Sequence, residues 1–212
     1  MRKEEVAMES QPAGAGPVDH RTLPRRRGET LYAAIFEATL AELADVGYAR
    51  LTMERVAARA RTSKASLYKR WPGRADLVLA ALRHRRGAPS PTPDTGGLRG
   101  DVLALLRDGA AQLNGLMGEV IRGLMAEGLR ESTPIATVRT SMFDSRNRRM
   151  SEVLDRAVKR GEIPAHAVTP QHIALAPALV DHHFLFYGAP IPDHVLTEIV
   201  DAVLLPLLTR PA

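Results

Sequence analysis

Apolar positions at Met53, Val56, Ala57 and Ala60 recur at i, i+3, i+4 and i+7, which lays one greasy stripe along a short α-helix. Arg61 and Thr62 break the stripe. Thr52 stands just before the first helix and Ser63 just after the break, where a hydroxyl oxygen can accept from an unpaired backbone N–H and act as an N-cap. The segment KASLYKRW then predicts a second helix with Leu67 and Trp71 on its inner side. Two short helices about a tight turn read as a helix-turn-helix over residues 52–71. Upstream, Leu31, Ile35, Phe36, Leu40 and Leu43 predict a supporting helix from about residue 29 to 46, with Gly47 as its stop. Downstream, Pro72 suits the start of a fourth helix, carried by Leu77, Val78, Ala81 and Leu82.

Residues 87–97, GAPSPTPDTGG, interrupt all periodicity and mark a boundary. Beyond them every segment reads as helix. One stripe holds Leu98, Val102, Leu105, Leu106 and Leu113, and the next Met117, Val120, Ile121, Leu124, Met125 and Leu129. A long helix opening near Pro134 carries Ile135, Val138, Met142, Met150, Val153, Leu154 and Val158, then ends at Gly161. Residues 170–187 bury Ile173, Ala176, Leu179, Val180 and Phe184, with a kink expected at Pro177. Residues 192–208 are apolar on more than one side, so that helix must be covered twice. No period-2 run of strand length competes. The fold class expected is all-α: a three-helix helix-turn-helix head and a larger helical body, about nine helices in all. The organisation expected is a flexible tail (1–24), a head (25–86), a linker (87–97) and a body (98–212).

Charge sharpens this division. The 212 residues carry a net +5, but residues 21–86 hold 15 Lys/Arg against 6 Asp/Glu, whereas residues 87–212 hold 12 against 14. The positive charge belongs to the head. A concentrated basic patch binds polyphosphate by releasing counterions. The outward set on the second short helix (Lys64, Ser66, Tyr68 and Lys69) is rich in cations and hydroxyl donors, as a DNA-facing surface needs. Arg25, Arg26 and Arg27 precede the first helix and either follow a minor groove or form a loose basic tail.

Other chemistry is hard to place. With no cysteine there is no disulfide framework or zinc-thiolate site. No apolar run reaches membrane-spanning length and no signal-peptide core opens the chain, so a cytoplasmic protein without membrane attachment is expected. The loop at 87–97 lacks the Lys-Ser/Thr of a phosphate-binding loop, and neither a nucleophile elbow nor a convincing carboxylate pair occurs; catalysis and a cofactor are not expected. His172, His182 and His183 share one predicted helix with Asp181, but adjacent histidines point about 100° apart, so no metal site is expected.

The head resembles the tetracycline-repressor (TetR) family of bacterial regulators over roughly residues 25–86. The resemblance is carried by Gly47-Tyr48, Leu51-Thr52, Val56-Ala57, Ser63, Leu67-Tyr68, Trp71 and the segment from Arg74 to Leu77. It departs at the turn, where the family often has Gly and this chain has Arg61. The resemblance implies a homodimeric repressor, its last two long helices paired with those of a second copy, reading a palindromic duplex operator. The residues expected at DNA are then Arg25, Arg26, Arg27, Thr52, Arg61, Ser63, Lys64, Ala65, Ser66, Tyr68, Lys69 and Arg74. Lys64 and Lys69 are expected at base edges, and Thr52, Ser63, Ser66, Tyr68 and Arg74 at phosphates. It also implies a central cavity for a small, mostly apolar effector. The residues expected there are Leu113, Met117, Val120, Ile121, Leu124, Met125, Met142, Arg146, Met150, Leu179 and His183. Two other readings stay open: a metal-responsive or activating regulator, and a helical ligand-binding protein that no longer reads DNA.

Overall fold

A computed structural model of the chain describes residues 28–87, 91–128 and 135–210, with side chains described over 28–87, 91–127 and 144–210. The tail and Arg25, Arg26 and Arg27 lie outside the described residues, as does the side chain of Met142. All regular elements among the described residues are helical. Helix α1 spans Glu29–Arg50, but Gly47 breaks its regularity at φ 75°, ψ 166°, the left-handed half of conformational space where glycine lacks the usual penalty. The expected stop at Gly47 is therefore a sharp kink, after which one more turn carries Tyr48 inward.

Helices α2 (Met53–Arg59) and α3 (Lys64–Tyr68) start where the cap residues stand. The Thr52 hydroxyl accepts from the Arg55 N–H at 3.3 Å and the Ser63 hydroxyl from the Ser66 N–H at 3.2 Å. Glu42, almost wholly buried on α1, pairs with Arg55 and lies 3.0 Å from Arg59 Nε, so one desolvated acid ties α1 to α2. Helix α4 (Arg74–Arg86) opens with the Asp76 carboxylate accepting from the Gly73 N–H at 3.1 Å. Trp71 meets Tyr32 and Phe36 edge-on, with centroids 5.7 and 5.6 Å away.

The body comprises α5 (Leu98–Leu113), α6 (Leu116–Gly128), α7 (Ile135–Lys159), a 3₁₀ turn (Ala165–Ala167), α8 (Pro170–Tyr187) and a last apolar segment. That segment is α9 (Asp193–Glu198), a π-helical stretch (Ile199–Leu204) and α10 (Leu205–Leu208). Its inner residues Leu196, Ile199, Val200, Leu204 and Leu208 pack with Val102, Leu106, Val153, Leu154 and Phe184 in the body core. Two bidentate pairs, Arg99 with Asp201 and Arg107 with Asp193, clamp α5 to this segment at 2.6–2.8 Å.

Helix α6 does not serve the body alone. Val120 and Leu124 are buried in the head core beside Ile35, Tyr48, Leu77 and Val78. Ile121 packs against the body core. The helix is thus a shared wall between the two units.

Candidate nucleic-acid interface and effector cavity

The outer edge of the head is set by the two capped helices. Tyr68 is 46% exposed although aromatic, and Lys64, Ala65 and Lys69 are exposed beside it. Lys64 pairs with Glu54 of α2 and lies 5.6 Å from the centre of the Tyr68 ring. Arg70 holds the Ser66 hydroxyl at 2.9 Å and carbonyl at 2.8 Å, and its guanidinium stacks 5.4 Å from the Tyr32 ring. A water-facing surface of cations and hydroxyls can meet a polyanionic duplex, since its pairs, Lys64 with Glu54 and Arg70 with Ser66, are exposed and cheap to exchange for phosphate.

The turn between α2 and α3 is unusual in its chemistry. The Arg61 N–H donates to the Ala58 carbonyl and the Thr62 N–H to the Ala57 carbonyl, at 3.1 and 3.0 Å. This Schellman pair of bonds demands a left-handed residue between them. Arg61 takes that conformation, φ 51°, at a cost of about 1 kcal/mol relative to a residue free of Cβ. At the end of α7 the same bonding pattern is met by Gly161, φ 75°.

Between head and body lies a polar joint. Tyr48 donates its N–H to Glu119 at 2.9 Å and its phenol to Glu127 at 2.9 Å. Arg74 caps the other Glu127 oxygen at 3.0 Å, stacks 4.9 Å from the Tyr48 ring, and donates to the carbonyls of Leu51 and Ala49 at 3.3 and 3.4 Å. Burial, followed by the neighbouring Glu127 carboxylate, pushes the Tyr48 phenol well above its ordinary pKa, so it stays a proton donor. Gly123 lets α6 approach this closely, since a Cβ there would collide with the Tyr48 ring.

A cavity of ≈ 330 Å³ lies where the C-terminal end of α4 meets α5, α7 and α8. Its wall is Arg83, Arg86, Gly87, Leu105, Leu106, Gly109, Gln112, Ser145, Arg146, Arg149, Pro177 and Val180. Arg146 is held by Asp181 at 2.7 Å and Arg149 by Asp108 at 2.6 Å. Arg86 donates to Gln112 at 2.7 Å. The volume falls at the lower end of the range for small-molecule sites.

Residues 35–81 match the family of bacterial regulatory proteins of the tetR type, and residues 92–203 match the tetracyclin repressor-like C-terminal domain. The chain belongs to the TetR family. A DNA-binding transcriptional repressor TetR of Mycobacteroides abscessus is 35% identical over 190 residues, covering 87% of this chain and 97% of that one. An uncharacterised helix-turn-helix regulator of Mycobacterium tuberculosis is 34% identical over 176 residues, covering 83% and 87%. The crystal structure of a TetR family transcription regulator aligns with a TM-score of 0.66 at 29% identity, covering 83% of this chain and 97% of that one. These relatives are regulators rather than enzymes, and this chain is a DNA-binding transcriptional regulator of the helix-turn-helix class. No helix among the described residues is long and apolar enough to cross a membrane.

Within this TetR-family framework the expected DNA set divides. Thr52, Arg61, Ser63, Lys64, Ala65, Tyr68 and Lys69 are exposed at the head's edge, and Ser66 is half-buried there. Arg74 is also half-buried, and its guanidinium already donates inside the head–body joint to the Glu127 carboxylate and to the Ala49 and Leu51 carbonyls. Arg70, absent from the expected set, is the exposed cation beside Ser66.

Of the expected effector set, Arg146 lines this cavity and the other described side chains lie outside its wall. Leu113 and Met150 are core residues of the body, and Leu179 packs at its margin like Ile121. Val120 and Leu124 belong to the head core, with Met117 packed against it. Met125 is half-buried, and so is His183, whose ring lies 4.9 Å from Tyr187. For Met117, Val120 and Leu124 the physical reason is that this side of α6 packs on the head core, which holds Tyr48. Among the described residues no cluster of three or more His, Asp or Glu suits a metal ion.

Proposed function

We propose that this chain is a homodimeric repressor whose two heads read a palindromic operator, released when a small organic molecule fills the cavity under α4. The observation that carries the reading is the exposed face of α3, where Lys64, Tyr68 and Lys69 stand on a frame fixed by two hydroxyl caps. Lys69 and Lys64 reach base edges in the major groove; Tyr68, Thr52, Ser63 and Ser66 hold phosphates, joined by the Arg61 and Arg70 guanidiniums. Arg25, Arg26 and Arg27 extend the basic surface. Heads of a two-fold dimer sit roughly 34 to 36 Å apart in successive major grooves.

Dimerisation is supported by the end of α8, where Leu185, Phe186 and Tyr187 are 42%, 73% and 75% exposed, beside a last segment that keeps Val195, Val203 and Leu207 only half-buried. Apolar surface of this kind is ordinarily covered by a partner. Repression, as opposed to activation, is supported by the Mycobacteroides abscessus relative, a DNA-binding transcriptional repressor. Release follows from linkage: α4 carries Arg83 and Arg86 on the cavity wall and is packed in the head core at Leu77, Val78 and Leu82. A ligand that prefers one position of α4 shifts the separation of the heads and lowers operator affinity by that preference.

The test is fluorescence anisotropy of the purified protein against labelled duplex from the region upstream of its own coding sequence, with sedimentation equilibrium on the same sample. Saturable binding by a dimer is expected, and random duplex should bind weakly. A monomer that ignores every duplex at low salt overturns the reading.

A further inference from the structure

The chemistry of the cavity wall is one-sided. Four guanidinium groups stand on it, Arg83 and Arg86 from α4 and Arg146 and Arg149 from α7, while none of its residues is acidic. Asp181 holds Arg146 at 2.7 Å, and Asp108 holds Arg149 at 2.6 Å and lies 3.7 Å from Arg86, while Arg149 also donates to the Pro91 carbonyl at 3.4 Å; these partners fix the forks and occupy only part of the five donors of each. The Arg149 Nε is buried with no hydrogen-bond partner. That nitrogen is sealed inside the protein, so what the guanidinium can offer a ligand is the outer N–H groups at the end of its fork. The wall also carries apolar side chains, Leu105, Leu106, Pro177 and Val180.

We propose that the effector is a small organic anion, a compact apolar body bearing one carboxylate. This names the ligand class of the site and rests on the reading that the body takes a ligand there. The apolar body lies on Leu106, Pro177 and Val180. The carboxylate is taken by Arg146 and Arg149 of α7 and by Arg86 from the end of α4, because planar guanidinium forks match the two oxygens of a carboxylate. A purely apolar effector leaves the forks stripped of water with nothing gained in exchange. The same anion bridges α4 to α7, so ligation acts directly on the helix that carries the head.

The experiment is isothermal titration calorimetry of the full-length protein at 150 mM salt with two matched series: 2-naphthoate, 2-naphthalenemethanol and 2-naphthylmethylamine, and octanoate, octanol and octylamine. The acid of at least one series is expected to bind about tenfold or more tighter than its alcohol, and the amine weakest. Arg146→Gln is expected to shrink the acid-to-alcohol ratio at least about threefold, and Arg86→Gln, at an exposed position that folding tolerates, to do the same. Alcohols that bind as tightly as their acids overturn the anion assignment while leaving a ligand-binding body intact. A preference for acids that neither substitution alters places the anion elsewhere and overturns the assignment to this cavity. If no member of any charge class binds, the assignment and the reading beneath it both fall.

Discussion

Two sets of cations sit in this molecule, and their surroundings give them opposite uses. On α3 the charges are convex and wet: Lys64, Lys69 and Arg70 are exposed, and the Lys64–Glu54 pair is exposed on both sides. Around the cavity the two α7 charges are more confined, with the Arg146 and Arg149 side chains 27% and 15% exposed and held by Asp181 and Asp108, while Arg83 and Arg86 of α4 are exposed at its edge. Water and salt screen the first set freely and the second little. A surface of the first kind suits a long polyanion whose counterions are released on contact, whereas the second suits one small anion chosen by size and fork geometry. Equal formal charge therefore says little about a partner until the curvature and the local acids are known.

The largest test of this contrast is salt. Raising sodium chloride from about 50 to 200 mM is expected to lower operator affinity by about 10³-fold or more, as for a protein neutralising six or more phosphates. Affinity for a cavity carboxylate should change by less than about threefold, because buried pairs are weakly screened. Comparable salt slopes in anisotropy and calorimetry would erase the distinction.

Next in size is Asp108→Ala, expected to cost about 2 kcal/mol in urea unfolding because Arg149 is left confined without its carboxylate. Burial by itself raises the Asp108 pKa, but hydrogen bonding and charge from Arg149, with Gln112 and Arg86, outweigh it and hold the carboxyl below its ordinary range. Asp101, fully buried, is held low in the same way: burial raises it, and the Thr95 N–H and hydroxyl together with Arg160 prevail. A folded pKa below the unfolded value of about 3.9 means stability that is present at neutral pH and lost as pH falls through 4 and below. Urea midpoints should drop in that window, and less so in Asp108→Asn.

On the wet surface, Tyr68→Ala should weaken operator and random duplex alike by about tenfold, while Lys69→Ala should cost about tenfold on operator and less on random duplex. Equal losses on both duplexes for both variants would refute the division between holding and reading. Glu127→Gln weakens the joint that links the two cation sets. It is expected to cut the effector's influence on operator affinity by about fivefold while leaving effector affinity unchanged, measured by anisotropy with and without saturating ligand. The smallest effect belongs to the turn: Arg61→Gly should raise stability by about 0.5–1 kcal/mol by relieving the left-handed backbone, yet lower duplex affinity. A loss of stability there would mean that the arginine side chain contributes more to the head than its conformation costs.

The head was largely legible from the chain because its signals are local. Thr52 and Ser63 cap helices three residues away, Gly47 breaks the helix in which it stands, and the stripe of Met53, Val56 and Ala57 closes on Ile35 and Leu43 within one small core. The cavity was not legible, since its arginines come from positions 83, 86, 146 and 149 and each alone resembles a solvated helix face. The α6 stripe was legible as apolar, but not that Val120 and Leu124 join the head core, because periodicity shows that a face is buried without naming what buries it. The joint made by Arg74 was not legible for a related reason: its acid partner, Glu127, lies 53 residues further on.

The amino-acid order alone determined an all-helical chain, a capped helix-turn-helix and a basic head on a near-neutral body, for these depend on spacing, caps and charge along the sequence. Only the tertiary structure decided which core receives α6, that Arg74 closes the joint, and that arginines of α4 and α7 line one cavity. Those outcomes are set by which distant side chains share a low-dielectric space, and separation along the chain carries no measure of that.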